Sequence, residues 1–226
     1  VIQAFNKHGR REMLEWCDKA YDHVQELDKE FSDWLCVPRS VRTTSIKPSG
    51  TVSLLNGSTP GIHYPEAEYY IRRIRFSVGN TILKAIEEAG YPIEKDAYSP
   101  NTMVASFPVH EPFFQKGKNE ASMWEQLEIA AAYQHYWADN SVSVTVTFKA
   151  DEAKDIKTAL EMYESRLKAV SFLRYQETGY EQAPYEPITQ EQYNEMTKNI
   201  TPIDRIETEE QGAGTVFCDG DSCEIA

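Results

Sequence analysis

Two cysteines lie close together near the end of the chain, Cys218 and Cys223, with four residues between them. The polar, glycine-containing stretch 206–214 precedes them and has almost nothing to bury, so it is predicted to be a flexible tether. Thiol–disulfide exchange needs an accessible thiolate with a second cysteine nearby to resolve the mixed disulfide. A frayed tail with incidental cysteines is one alternative. Half of a metal site is another, but zinc usually takes four ligands and the sequence shows no second ligand pair. The spacing therefore predicts a redox-active tail.

A second segment with chemical potential is the turn Pro48-Ser49-Gly50-Thr51, which follows a predicted strand at 43–46 and opens a short helix. Free backbone N–H groups and the positive end of a helix suit an anion, and the two hydroxyls add donors. Glycine lets the backbone approach a ligand closely. An ordinary capped helix gives the same pattern, and the spacing of a Walker loop is absent. Phosphate binding is the functional prediction for this turn.

Three further features carry weaker signals. His63 lies in the loop after the turn, where it is either an ordinary polar loop residue or an acid–base group. Residues 71–75 (IRRIR) are basic, which predicts a solvated or ion-paired helix face beside the many carboxylates. Cys17 and Cys36 are expected to be core or interface residues, because free cysteine packs as a small hydrophobic side chain. No paired-carboxylate, Ser-His-Asp or metal-cluster pattern stands out.

Alternating helices and strands must position these residues. Apolar spacing predicts helices at 1–34, 66–90, 120–138 and 151–167, the last capped by Asp151, and strands at 43–46, 103–107, 141–148 and 169–174. The strand at 141–148 has the clearest alternation, with small hydroxyl side chains on one face and apolar side chains on the other. This order predicts an α/β fold with mainly parallel strand pairing.

Composition limits the class of protein. The 226 residues are 41% hydrophobic, enough for one substantial packed domain. The formal charge of −13 argues against a nucleic-acid-binding protein, since phosphate backbones require a basic face. The sequence has no apolar run of membrane-spanning length and no signal peptide, and its four cysteines fit a cytoplasmic protein with free thiols. Because Val1 opens inside a helical pattern, we expect a piece of a longer polypeptide.

Several segments taken together resemble one family, the carboxy-terminal third of the adenosylcobalamin-dependent (class II) ribonucleotide reductases. The matching segments are residues 43–55 (TTSIKPSGTVSLL), 59–63 (TPGIH), 70–75 (YIRRIR), 139–146 (DNSVSVTV), 170–174 (VSFLR), 184–188 (PYEPI) and the terminal pair Cys218 and Cys223. The resemblance covers essentially the whole chain. It implies that residues 1–198 form later strands and helices of the ten-stranded α/β barrel of these enzymes, and that 199–226 form a linker and redox tail.

The resemblance also implies roles for both candidate sites. Pro48, Ser49, Gly50 and Thr51 would hold the phosphates of a nucleotide substrate, in the triphosphate or the diphosphate form, with the triphosphate branch favoured. Cys218 and Cys223 would pass electrons from thioredoxin to an active-site disulfide, in a radical reaction initiated by adenosylcobalamin. The radical cysteine itself would lie in an N-terminal part that precedes Val1, and no cobalamin or metal ligand is assigned here. The alternative is a non-catalytic phosphate-binding or interaction domain with a redox-sensitive tail.

Overall fold

The computed structural model describes residues 1–49, 53, 58–175 and 181–203. Its helices are α1 (Ile2–His8), α2 (Arg10–Leu35), α3 (Ile82–Glu88), α4 (Met123–Tyr136), α5 (Ile156–Tyr163) and α6 (Gln190–Thr197), with a 3-10 turn at Ala153–Asp155. Its strands are β1 (Tyr69–Ser77), β2 (Ile93–Lys95), β3 (Thr102–His110), β4 (Thr145–Phe148), β5 (Ser171–Arg174) and β6 (Tyr185–Pro187). None of the helices in these ranges has the length and hydrophobicity required to cross a bilayer. The division of the chain at residue 199 stays a prediction.

The long amino-terminal helix predicted at 1–34 is present, but it is split in two. Gly9 has a φ of 83°, which interrupts the backbone between α1 and α2. The second helix ends at Cys36, whose left-handed conformation caps its last turn. The helical prediction is confirmed apart from the break at Gly9.

The helix predicted at 66–90 is wrong over its first half. Residues Tyr69–Ser77 form β1, the longest strand together with β3, with which β1 pairs antiparallel over its full length. Only α3 is helical in this region, and it is followed by Gly90 with a φ of 88°. These strands belong to a four-stranded sheet in the order β2-β3-β1-β6, and all of its pairings are antiparallel. Mainly parallel pairing is therefore wrong for this sheet.

The parallel strands form a second, smaller sheet. β4 pairs parallel with β5, and Ile46 makes an isolated parallel bridge to Val142. Val142, Val144 and Val146 are buried, as the alternation in the sequence predicts. The mixture of helices and strands confirms the α/β class. Asp151 does not cap a helix, because it lies in a turn and α5 begins at Ile156.

The core lies between this parallel sheet and α4, which is buried along most of its length. Ser122 begins the helix, and its side chain accepts a hydrogen bond from the N–H of Glu125. The helix buries Met123, Leu127 and Ala130 completely or almost completely. Burial of each large apolar side chain contributes about 1.5–3 kcal/mol, so α4 fixes the position of β4 behind the candidate site.

Candidate functional site

The predicted phosphate turn begins where the chain leaves the parallel sheet. The carbonyl oxygen of Ile46 accepts a hydrogen bond of 3.0 Å from the N–H of Ser143. Two residues later Pro48 has no N–H to donate, so it cannot continue the ladder. The chain thus departs from the sheet at the position where the sequence places the turn.

The side chain of Ser49 contacts the backbone four residues further along the chain. Its Oγ accepts a 2.7 Å hydrogen bond from the N–H of Ser53, and Ser53 is helical. The carbonyl of Ser53 in turn accepts a 3.0 Å bond from the N–H of Ser58, which returns the chain toward the turn. Pro48 and Ser49 are thus placed at the mouth of the predicted site, while Gly50 and Thr51 lie outside the described residues.

A loop of residues 58–63 lies against the start of the turn. Gly61 has a φ of 53°, and a Cβ atom at this position would come within 3.3 Å of the Pro48 nitrogen. Only glycine fits this approach without strain. Thr59, two residues before Gly61 in the same loop, is 3% exposed. Its hydroxyl and that of Ser53 are buried without a hydrogen-bond partner among the described residues.

His63 connects this loop to β4. Its Nδ1 donates to the carbonyl of Pro60 at 3.0 Å, and its Nε2 accepts the N–H of Thr145 at 3.1 Å. These bonds fix the neutral tautomer that carries its proton on Nδ1. Burial lowers the pKa of the imidazole, and the nearby ammonium of Lys118 acts in the same direction. His63 is therefore a half-buried residue that connects this loop to β4.

The basic segment 71–75 is ion-paired, as predicted, but on a strand. Arg72 lies over the ring of Tyr185 at 4.4 Å, and Arg73 bonds the carboxylate of Glu186 at 2.5 Å. Arg75 pairs with Asp96 at 3.4 Å. The three side chains also donate to consecutive backbone carbonyls at positions 184, 183 and 182. This segment therefore anchors β6 and the residues just before it to β1.

The two internal cysteines have different environments. Cys17 packs against the core, and burial raises the pKa of its thiol, with Tyr133 as its hydrogen-bond partner. The prediction of a core residue is confirmed for Cys17. Cys36 is exposed at the end of α2, so it is not a core residue. Cys218 and Cys223 lie outside the described residues, and the described part of the chain contains no group of three or more His, Cys, Asp or Glu placed to hold a metal ion.

Comparisons with known proteins agree with the resemblance found in the sequence. The chain is 40% identical over 232 aligned residues to a probable adenosylcobalamin-dependent ribonucleoside-triphosphate reductase of Dictyostelium discoideum, which covers 100% of this chain and 31% of that protein. It is 39% identical to the adenosylcobalamin-dependent ribonucleoside-triphosphate reductase of Euglena gracilis, covering 99% of this chain and 32% of that protein. The chain thus spans about a third of the length of these relatives. No family model matches it.

A solved structure supports the fold. The crystal structure of a B-12 dependent (class II) ribonucleotide reductase superimposes with a TM-score of 0.78 at 34% identity. The match covers 85% of this chain and 27% of that one. The α/β arrangement described above therefore corresponds to part of a class II reductase.

Proposed function

We propose, on the premise that this chain matches a segment of the adenosylcobalamin-dependent ribonucleotide reductases over its whole length, that it holds the nucleotide phosphates in such an enzyme. The whole enzyme would convert ribonucleoside triphosphates to 2′-deoxyribonucleotides. The observation that carries the proposal is the similarity along the entire chain to relatives that are ribonucleoside-triphosphate reductases. The remaining polypeptide would supply the radical chemistry.

The phosphate cradle would consist of Pro48, Ser49, Gly50 and Thr51. Ser49 Oγ accepts a hydrogen bond from the N–H of Ser53, which is helical, and the backbone N–H groups and dipole at the start of a helix would favour a negative charge. The buried hydroxyls of Ser53 and Thr59, which have no partner among the described residues, add two donors beside the turn. A hydrogen bond from a hydroxyl to a charged phosphate contributes about 1.5–3 kcal/mol, so each donor would be worth roughly tenfold or more in affinity.

Adenosylcobalamin would be the cofactor of the whole enzyme, in which it supplies the radical that begins the reaction. The described residues contain no donor set for a metal ion, and we assign none of them to the cofactor. In the related class that uses a tyrosyl radical, two adjacent tyrosines carry the radical along the strand that β5 resembles. By this resemblance Ser171 and Phe172 would occupy these places, and neither side chain can perform that transfer. A radical generated locally fits these residues.

Cys218 and Cys223 would form the redox shuttle. Their two thiols would attack an active-site disulfide, leaving the tail as a disulfide and the active site as two thiols. Thioredoxin would then reduce the tail disulfide to two thiols and would itself be oxidised to a disulfide. The dozen residues 206–217 ahead of Cys218 would span roughly 20 Å on average, which is a useful reach for such transfer. A reducing cytoplasm is the compartment that fits this cycle.

Complementation tests the enzyme as a whole. The chain is mixed with the remaining two thirds of a reductase polypeptide, and adenosylcobalamin-dependent formation of deoxynucleotide is measured. Product formation that needs both parts supports the proposal. If the chain binds nucleoside triphosphates and yet no preparation forms product, the non-catalytic phosphate-binding domain becomes the better description.

Two sets of variants test the parts of the proposal in the complete enzyme. Ser49→Ala combined with Thr51→Ala should raise the KM for nucleotide, and an unchanged KM would refute the phosphate assignment. Cys218→Ser combined with Cys223→Ser should abolish turnover driven by thioredoxin while leaving much of the turnover driven by a small dithiol. Equal loss with both reductants would refute the shuttle.

A further inference from the structure

Residues 143–147, which lead into β4, present every second N–H group on one edge to a different acceptor. Ser143 donates to the backbone of Ile46 at 3.0 Å. Thr147 donates to the side-chain Oε1 of Gln126 at 2.9 Å. Between them, Thr145 donates to the Nε2 of His63 at 3.1 Å. A side chain therefore occupies a position in the ladder that a neighbouring strand would normally fill.

The segment that should fill it is 43–47, which was predicted as a strand at 43–46 but makes only an isolated bridge at Ile46 before it leaves for the predicted turn. In the parallel register set by Ile46 and Val142, the next acceptor for Thr145 would be the carbonyl of Pro48. The chain turns away at that residue, and a buried N–H without an acceptor is costly. His63 thus replaces Pro48 in the ladder and allows the turn to open.

The second ring nitrogen of His63 contacts the loop of residues 58–63. Nδ1 donates to the carbonyl of Pro60, which lies between Thr59 and Gly61. Thr59 carries the buried hydroxyl that has no partner in the described ranges, and Gly61 lies against Pro48. One ring therefore fixes the distance between β4 and the loop that carries this hydroxyl.

We propose that His63 is a positioning residue for the nucleotide phosphates, acting through its acceptor contact with the backbone N–H of Thr145. This inference rests on the proposed function and adds a residue to it. His63 touches neither a phosphate nor a reacting atom in this scheme. It holds the loop and the start of the turn in the geometry that the phosphates require.

Two amide replacements separate the two contacts of the ring. In His63→Gln the side-chain oxygen can reach the place of Nε2 and accept from Thr145. In His63→Asn the shorter amide can replace Nδ1 and donate to Pro60, but it cannot reach Thr145. The comparison of these variants therefore isolates the contact that the proposal names.

The test measures KM and kcat of the complete reductase with ribonucleoside triphosphate. We expect His63→Gln to keep KM within about threefold of the wild type, and His63→Asn to raise it by about tenfold, because a buried donor loses its acceptor. At saturating nucleotide kcat should stay within about threefold in both variants, because binding geometry and not chemistry is altered. His23→Asn, the same substitution on the exposed face of α2, serves as the control and should change neither constant.

The possible results are distinguishable. Equal KM values for the two His63 variants, or a loss of kcat without a change in KM, would overturn the inference. If Ser49→Ala with Thr51→Ala raises KM while His63→Asn does not, the inference alone is wrong. If neither set raises KM, the proposed cradle is wrong as well.

A measurement on the wild type covers the case in which His63→Asn does not fold. Hydrogen–deuterium exchange is followed in the complete reductase with and without ribonucleoside triphosphate, in the absence of cobalamin. Nucleotide should slow exchange in residues 58–63 and at Thr145 together, since one ring couples them. Protection of the loop with unchanged exchange at Thr145 would overturn the inference.

Discussion

Thr59→Val should make the protein more stable and bind its nucleotide more weakly. The Thr59 side chain is 3% exposed, and its hydroxyl has no partner within the described part of the chain. A buried polar group left unsatisfied costs about 1–3 kcal/mol. Valine has nearly the same shape without the hydroxyl, so the free energy of unfolding should rise by about 1 kcal/mol. The Thr59 hydroxyl would thus destabilise the free protein and form its hydrogen bond only when the nucleotide phosphate is bound.

The loss in binding follows from the bond that the hydroxyl would make. Donation to a charged phosphate contributes about 1.5–3 kcal/mol, which corresponds to a rise in KM of about 10- to 100-fold. The assay is steady-state turnover of the complete reductase with ribonucleoside triphosphate, together with thermal unfolding followed by circular dichroism. For a domain of this size a gain of 1 kcal/mol should raise Tm by about 2–4 °C.

Thr59→Ser is the matched control, because it keeps the hydroxyl and removes only the methyl group. It should leave KM unchanged and lower the free energy of unfolding by about 1 kcal/mol, the value of one buried methyl group. A lower Tm in Thr59→Val with an unchanged KM would refute the reasoning. That result would mean that the hydroxyl stabilises the folded chain and does not serve the nucleotide.

Three other perturbations probe the residues around this hydroxyl. Gly61→Ala should lower the free energy of unfolding by about 1–2 kcal/mol, measured by denaturant titration. A φ of 53° strains a residue with a side chain, and the new Cβ would lie 3.3 Å from the Pro48 nitrogen. An unchanged free energy of unfolding would show that the loop adapts. The lowered pKa of His63 means that the unfolded chain binds a proton more readily, so stability should fall as pH decreases from about 6.5 through that lowered pKa. His63→Gln should reduce this pH dependence, and an identical profile would contradict the assignment. Gln126→Leu should cost about 2–4 kcal/mol of unfolding free energy, because the N–H and C=O of Thr147 both lose a partner; the conservative Thr147→Val should cost much less.

The sequence was informative where local signals agree with tertiary packing. The alternation at 141–148 predicts β4 and its buried valines, because one face of that strand packs on α4. The same reasoning failed at Tyr69–Ser77, where the apolar residues fit a helical spacing as well as an extended one. Long-range pairing with β3 decides between them, since nine residues of each strand are matched antiparallel. No signal within the segment contains that information.

The site shows the same division between local and distant causes. The end of the pairing at Pro48 could be predicted from the residue alone, because proline has no N–H to donate to a neighbouring strand. The role of His63 could not, because its partner Thr145 lies 82 residues away. Gln126 likewise gives no local signal, because it is one of several polar residues in α4, although it makes three hydrogen bonds to Thr147.

The acceptors supplied by His63 and Gln126 are needed because the chain leaves its pairing with residues 142–143 at Pro48. A strand that turns away to expose its backbone N–H groups to a ligand must also abandon its neighbour, which then has buried N–H groups to satisfy. Water could satisfy them, but it would enter beside the ligand and compete for the same donors. His63 and Gln126 provide acceptors from the protein instead, and each returns a second bond that fixes its own orientation. If the proposed phosphate cradle is correct, loss of the His63 acceptor on this edge should appear first as weaker nucleotide binding.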